Sequence, residues 1–325
     1  YFIDTNTCNY AVFNHLAKKF EVREIESPIP LLKAVKNATE LDGFRLACRK
    51  DGVALSKFYY WLENRLSQQP ITELEAAEQL TRFRSQDKEY VSDSFGCISA
   101  YGPNAALPHY SATPEQQSEI HPKGLYLVDS GAQYMHGTTD ITRTMPLGEL
   151  TELEKEDYTL VLKGMIDLSM LYFPKGSKGC NIDIVARLPL YMNLWNFGHG
   201  TGHGVGYFLN VHEGPQSIRP DLKNQEMLPG MVTSNEPGLY REGLHGIRHE
   251  NLIVCQPKAV NEFGEFYQFE TITLCYFDTS ALLIQLLNQN EIDWLNAYNE
   301  RVYQEVSPYL EEQERTWLRN KTKAI

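Results

Sequence analysis

Five residues of metal-ligand type, Asp129, Asp140, His203, Glu236 and Glu250, sit on or beside short apolar runs spread across the middle of the chain. A fold that buries those runs must gather four carboxylates and an imidazole near its core, where charges need partners. Converged carboxylates cannot all stay ionised unless cations share the site. A mainly hard, oxygen-rich donor set suits two adjacent divalent ions better than one structural zinc. The architecture must therefore bring distant strand ends together.

The formal charge of -12, from 42 acids against 30 bases, argues against nucleic acid or an anionic membrane as a main partner, because phosphate binding relies on excess cations. At 325 residues the chain is long enough for one large domain with additional pieces, or for two domains. Its six cysteines, at 8, 48, 97, 180, 255 and 275, show no close pairing and read as reduced thiols of a reducing, cytoplasmic compartment. No apolar run approaches the roughly eighteen residues a membrane span requires. No signal-peptide pattern is present, and the start at Tyr1 without Met leads us to expect a fragment of a longer protein.

Residues 1–25 read as strand, helix, strand, with strands at 1–3 and 20–22: the tail of an α/β unit. Ser27-Pro28-Ile29-Pro30 breaks that pattern and marks a domain boundary after residue 27. Leu41, Phe44, Cys48, Leu55, Phe58 and Leu62, spaced mostly by three and four or their multiples, predict a long helix over about 38–67. Thr72 with Glu75, and Thr151 with Glu154, have capping-box spacing and open helices ending near Arg84 and near Pro174. A further helix is expected over 182–195, with Pro189 as a potential kink. Strands are expected at 95–99, 125–129, 140–145, 205–212, 231–235, 250–255 and 268–275. Strands in runs, with helices before and between them, indicate an α+β fold with an antiparallel sheet.

In Leu125-Tyr126-Leu127-Val128-Asp129-Ser130-Gly131 an apolar strand delivers an Asp at its end and Gly131 lets the chain turn. Asp140 follows on the next strand, where two carboxylates can face each other across a hairpin ladder. A solvated turn is the ordinary explanation of such a pair, but an Asp closing an apolar run needs a compensating partner. His199-Gly200-Thr201-Gly202-His203-Gly204-Val205-Gly206 keeps the backbone open, so His203 can bind metal while His199 orients groups behind it. Pro237 holds Glu236 extended. His212 falls in an expected strand, where a satisfied core histidine is the commoner outcome. Arg248 and Glu250 alternate onto one face; they form either a surface ion pair of little value or a carboxylate cluster with an orienting arginine.

Taken in order, these motifs resemble the pita-bread metallopeptidases, and within them the Xaa-Pro aminopeptidases, over residues 28–325. The resemblance extends to His109-Tyr110, to the His199–Gly214 segment and to Asp293-Trp294-Leu295-Asn296-Ala297-Tyr298. It implies a curved antiparallel sheet covered by helices, a catalytic domain at 28–280, a C-terminal extension at 281–325, and residues 1–27 as the end of an upstream creatinase-like domain. It further implies that Asp129 binds one metal, that Asp140 and Glu250 bridge two, and that His203 and Glu236 bind the other. His109, His212 and Arg248 would then handle substrate and developing charge. Two departures stand out: His249 occupies a usually aliphatic position, and no proline follows Glu270. The spacing from Glu236 to Glu250 matches the family, so Glu270 is read as structural.

The implied reaction is hydrolysis of the bond between an N-terminal residue and a penultimate proline, with a water bridging two ions as nucleophile and Glu236 as general base. Manganese is the expected metal from the oxygen-rich set, with zinc or cobalt as alternatives. The expected substrates are peptides with penultimate proline, and the resemblance implies a homodimer. Prolidase, a dipeptidase of the same fold, is the nearest alternative; creatinase and noncatalytic peptide-binding relatives fit the complete ligand set less well.

Overall fold

The computed structural model describes all 325 residues. At the N-terminus, strands Phe2–Ile3 and Arg23–Glu24 pair in parallel across the helix Tyr10–Ala17. The expected α/β crossover is present, with its second strand three residues later than 20–22. A short helix, Ile29–Ala34, fills the Pro-rich boundary. The long helix runs Ala38–Leu66 and is opened by a capping box between Asn37 and Glu40.

Both capping boxes read from the sequence form, opening helices Glu73–Arg84 and Glu152–Met170. The second helix stops before Leu171, whose extended backbone leads into the Phe173–Pro174 strand. The next helix spans Gly179–Tyr191 with Pro189 inside it, starting and ending three to four residues earlier than expected.

Two antiparallel sheets and a hairpin carry the site. Leu125–Ser130 lies between Ile98–Tyr101 and Ile141–Pro146, and Asn251–Asn261 lies between Val232–Asn235 and Gly264–Thr271. The hairpin pairs Gly238–Arg241 with His245–Arg248. At the sheet junction, Glu250 donates its N–H to Thr142 O at 3.0 Å, and the Thr144 hydroxyl bonds both the N–H and the carbonyl of Arg248 at 3.1 Å. The ends of strands far apart in sequence are thereby stitched side by side.

Arg143 points away from the site, as strand alternation requires. It is fully buried, donates to Glu250 O, Cys275 O, Asn251 and the Tyr298 hydroxyl, and stacks 3.8 Å from the Phe277 ring centre. Tyr298 belongs to the Gln289–Val306 helix, so the C-terminal segment packs behind the strands that carry the ligands. Leu295, Val302 and Val306 of that helix share one core with Leu55, Phe58, Tyr158 and Met165.

Two strand expectations shift and one fails. The 95–99 strand is Ile98–Tyr101, and the 268–275 strand is Gly264–Thr271. The 205–212 strand is absent: pairing ends with Gly202–His203 and a single bridge from Gly204 to Thr233, and 207–216 form a loop in which Phe208 has a φ of 50°. Its apolar residues mimic a strand, but Val205 N–H bonds Val232 O and Gly206 N–H turns back to Asn210 O.

Candidate metal centre

Asp129 and Asp140 do not face each other directly. Asp129 pairs with Thr142 in the antiparallel register, and Asp140 precedes that strand by one residue. The chain between them makes a second small hairpin from Ala132–Tyr134 and Gly137–Thr138. Gly131 is needed there for close approach rather than for a turn: a Cβ would come 2.0 Å from Thr139 O. Strand alternation still places Asp140 and Thr142 on one face, toward the cavity.

His203 enters from the short Gly202–His203 strand. A Cβ at Gly202 would lie 1.9 Å from Ser234 O, so glycine lets the histidine segment press against the Val232–Asn235 strand. The open backbone expected of the glycines serves, at Gly202, close approach to another strand. Ser234 Oγ accepts from His203 N–H at 2.9 Å and donates to Glu236 at 3.1 Å, tying the two candidate ligands together.

Asp140, His203 and Glu250 each offer a ligand atom within 4.8 Å of the others. His203 Nε2 lies 3.4 Å from Asp140 and 3.3 Å from Glu236. Its Nδ1 faces Gly204 O at 3.0 Å; a carbonyl only accepts, so Nδ1 carries the proton and Nε2 is left for the carboxylates or a cation. Asp129 and Glu236 complete a cavity of about 460 Å³ that also opens onto His109, His199, His212, Arg248 and Arg219.

Burial raises Asp140 and Glu250, and it raises Glu236 to about 7. Burial opposes charging of His203, but the Asp140 hydrogen bond and the Glu236 charge outweigh it and lift His203 to about 9. Four carboxylates share a single pocket in which Arg248 is the buried arginine, and Asp129 Oδ1 is buried with no donor. The donor set and this open oxygen fit divalent cations.

Arg248 is 3 % exposed and is no surface ion pair. It donates to Asp129 at 2.5 Å, to Thr142 Oγ1 at 3.2 Å and to the Tyr240 hydroxyl at 2.8 Å. The Thr142 hydroxyl donates in turn to Glu250 at 2.8 Å. His199 touches none of the five ligands: its Nε2 meets the Tyr240 hydroxyl at 2.7 Å and its Nδ1 meets Gly200 O at 2.7 Å. Burial pushes His199 down to about 4, so the neutral ring accepts from Tyr240, which accepts from Arg248.

His212 lies in the loop rather than in a strand, with its ring 4.1 Å from that of His203. Burial and the His203 charge lower its pKa. His109 also lines the cavity, beside Pro108. Glu270 lies outside the cavity and is held by Arg45 at 2.7 and 2.8 Å, which agrees with a structural role. Sequence reading missed Thr142, Ser234 and Tyr240. Each sits an even number of residues from a ligand along extended chain (142 from 140, and 234 and 240 from 236), which is the signal that could have found them.

The sequence profile of metallopeptidase family M24 matches residues 42–257, and that of the C-terminal region of peptidase M24 matches residues 265–325. The chain belongs to the M24 metallopeptidase family. A probable Xaa-Pro aminopeptidase P of Ajellomyces capsulatus is 41% identical, with 100% of this chain and 54% of that protein aligned. The Paracoccidioides brasiliensis protein of the same name is 45% identical over 94% of this chain and 51% of its own length. The X-prolyl aminopeptidase of Caenorhabditis elegans, described as a cytosolic enzyme with a di-nuclear active site, superposes with a TM-score of 0.90 at 38% identity, covering 94% of this chain and 51% of that one. The prolidase of Pyrococcus furiosus superposes less well, with a TM-score of 0.70 at 26% identity over 84% of this chain and 75% of that one. The M24 chain described here spans about half the length of the curated relatives it matches. Its architecture is the α+β pita-bread fold.

Proposed function

We propose that this M24 chain is the catalytic part of a dinuclear-metal aminopeptidase that hydrolyses the bond between an N-terminal residue and a penultimate proline. The observation that carries this reading is the gathering of Asp129, Asp140, His203, Glu236 and Glu250 around one cavity, with Arg248, His109 and His212 on its walls. Asp129 would hold one ion, His203 and Glu236 the other, and Asp140 and Glu250 both. When bound, the ions supply a Lewis acid for the scissile carbonyl and lower the pKa of a water.

Glu236 is the general base: it takes a proton from the attacking water and returns it to the proline nitrogen as the C–N bond breaks. His212 or His109 donates to the oxyanion, a contribution on the order of 3 kcal/mol for a well-placed donor. Arg248 holds Asp129 and Tyr240, and through Tyr240 it fixes His199. The preference for proline is taken from the named relatives.

The donor set favours manganese over zinc or cobalt. Residues 1–27 are read as the end of an upstream domain, residues 28–280 as the catalytic unit and residues 281–325 as an extension. A cytoplasmic homodimer is the proposed form. No helix is long and apolar enough to cross a membrane.

The deciding experiment supplies Xaa-Pro-Xaa and Xaa-Pro peptides to chelated protein reloaded with Mn²⁺, Zn²⁺ or Co²⁺ in turn, with light scattering for oligomeric state. Cleavage of the longer peptide, fastest with Mn²⁺, is expected. Cleavage of dipeptides alone would move the reading to prolidase.

A further inference from the structure

The loop carrying His212 is held from a side that the peptidase reading leaves unused. The Glu213 N–H donates to Gly204 O at 2.8 Å, and that same carbonyl accepts the Nδ1 proton of His203 at 3.0 Å. One carbonyl therefore couples the orientation of the His203 ring to the position of the residue next to His212.

The Glu213 side chain is buried, at 8 % residue exposure. Its Oε2 accepts from Lys33 Nζ at 3.0 Å, and its Oε1 is buried without a donor. Lys36 is 4 % exposed and its ammonium has no hydrogen-bond partner. Burial draws Lys36 down to about 8, and Glu213 is the strongest opposing charge acting on it. Both lysines precede residue 42, where the family match begins.

This upstream segment is anchored by its backbone. Lys36 N–H donates to Gly230 O at 3.0 Å, and Val35 bridges to Met231, immediately before the strand that leads to Glu236. The Lys33 ammonium thus reaches Glu213 directly, and the buried, unbonded Lys36 charge acts on the same carboxylate. Without them, a buried carboxylate with one oxygen already lacking a donor would stand unpaired, and the loop would have to move to hydrate it. That movement would withdraw the Glu213 N–H from Gly204 O and release the His203 ring.

We propose that Glu213 is a positioning residue, neutralised by Lys33 and Lys36, through which the segment upstream of the catalytic unit sets the orientation of His203 and the placement of His212. The roles of the two histidines rest on the proposed aminopeptidase function; their coupling to Lys33 rests on the hydrogen bonds through Glu213 and Gly204.

The test uses the full chain with Co²⁺ as the probe, followed by its visible absorption and binding affinity, alongside kcat and KM for an Xaa-Pro-Xaa peptide. Lys33→Met/Lys36→Met should weaken Co²⁺ binding by about 10- to 100-fold, the range typical when a ligand loses its outer support, and should alter the absorption band. In the same variant kcat should fall with little change in KM. Adding Glu213→Gln removes the unpaired charge but keeps the N–H, and should restore most of the affinity and the band. The proposal is overturned if the double variant binds Co²⁺ as the parent does, or if the triple variant is no better than the double. Should the double variant fail to fold, the triple is compared directly with the parent: parent-like affinity supports the proposal, and its loss overturns it. A parent protein that loads Co²⁺ yet cleaves no Xaa-Pro peptide would sink the aminopeptidase reading, while the Co²⁺ measurements would still decide the role of Glu213.

Discussion

Arg248 donates to Asp129 at 2.5 Å, joining the ends of two strands 119 residues apart in the chain, and both partners are buried. Removing one member of a buried pair strands the other charge, at a cost of about 3–5 kcal/mol. Arg248→Ala is therefore expected to lower the unfolding free energy of chelated protein by an amount in that range. Saturating divalent metal gives Asp129 a replacement partner, so the loss should shrink when Mn²⁺ is present. Urea unfolding midpoints of parent and variant, with EDTA and with Mn²⁺, measure both. An equal loss under the two conditions would mean that Asp129 takes no metal.

The chelated site should also be sensitive to alkali. Burial raises Asp140, Glu250 and Glu236, the last to about 7, and the Asp140 and Glu236 charges lift His203 to about 9 against the effect of its burial. A folded-state pKa above the unfolded one contributes stability that is complete below the unfolded pKa and is lost as pH rises through the folded pKa; this holds for the carboxyls and for the histidine alike. Metal-free protein should thus lose stability from about pH 4.5, the unfolded carboxyl value, up to about pH 9, the folded value of His203. Metal replaces those protons, so the gain on adding Mn²⁺ should grow over the same interval, reaching about 2.7 kcal/mol when the metal is at 100 times its Kd. Thermal unfolding at pH 5.5 and pH 8, with and without metal, is the measurement. A gain independent of pH would contradict the proton–metal exchange.

Local signals were legible in the sequence and long-range ones were not. The boxes at Thr72–Glu75 and Thr151–Glu154 could be read because each involves residues three apart, and the ligands because each lies on or beside a short strand candidate. The strand expected at 205–212 failed because its apolar residues serve a loop, whose path is set by Val232 O far along the chain, by a turn back to Asn210 O within the run, and by Glu213 just beyond it. The Arg248–Asp129 pair was hidden for the same reason. Alternation put Arg248 on one face with Glu250 but could not say whether that face was buried or which carboxylate it would meet, since that depends on how two separate sheets are joined at Thr142 and Thr144. The register itself was misjudged by two residues, because the Ala132–Thr138 hairpin lies between the two aspartates.

His249 stands between Arg248 and Glu250 with neither ring nitrogen bonded, fully buried between the rings of Tyr158 and Phe277. An imidazole there forgoes its hydrogen bonds to water without replacement, at a cost of about 1–3 kcal/mol. Burial and the nearby Arg143 charge hold its pKa well below the usual histidine range. A depressed base contributes its full stability above the unfolded pKa and loses it as pH falls below that value, so acid should weaken the parent protein at this position. His249→Leu fills a similar volume with apolar atoms and removes both penalties. It should raise the unfolding temperature at pH 7.5 and raise it further at pH 5.5, as read by thermal scans of chelated protein. A variant less stable than the parent at both values would mean that the ring bonds an ordered water, and that the position is polar by design.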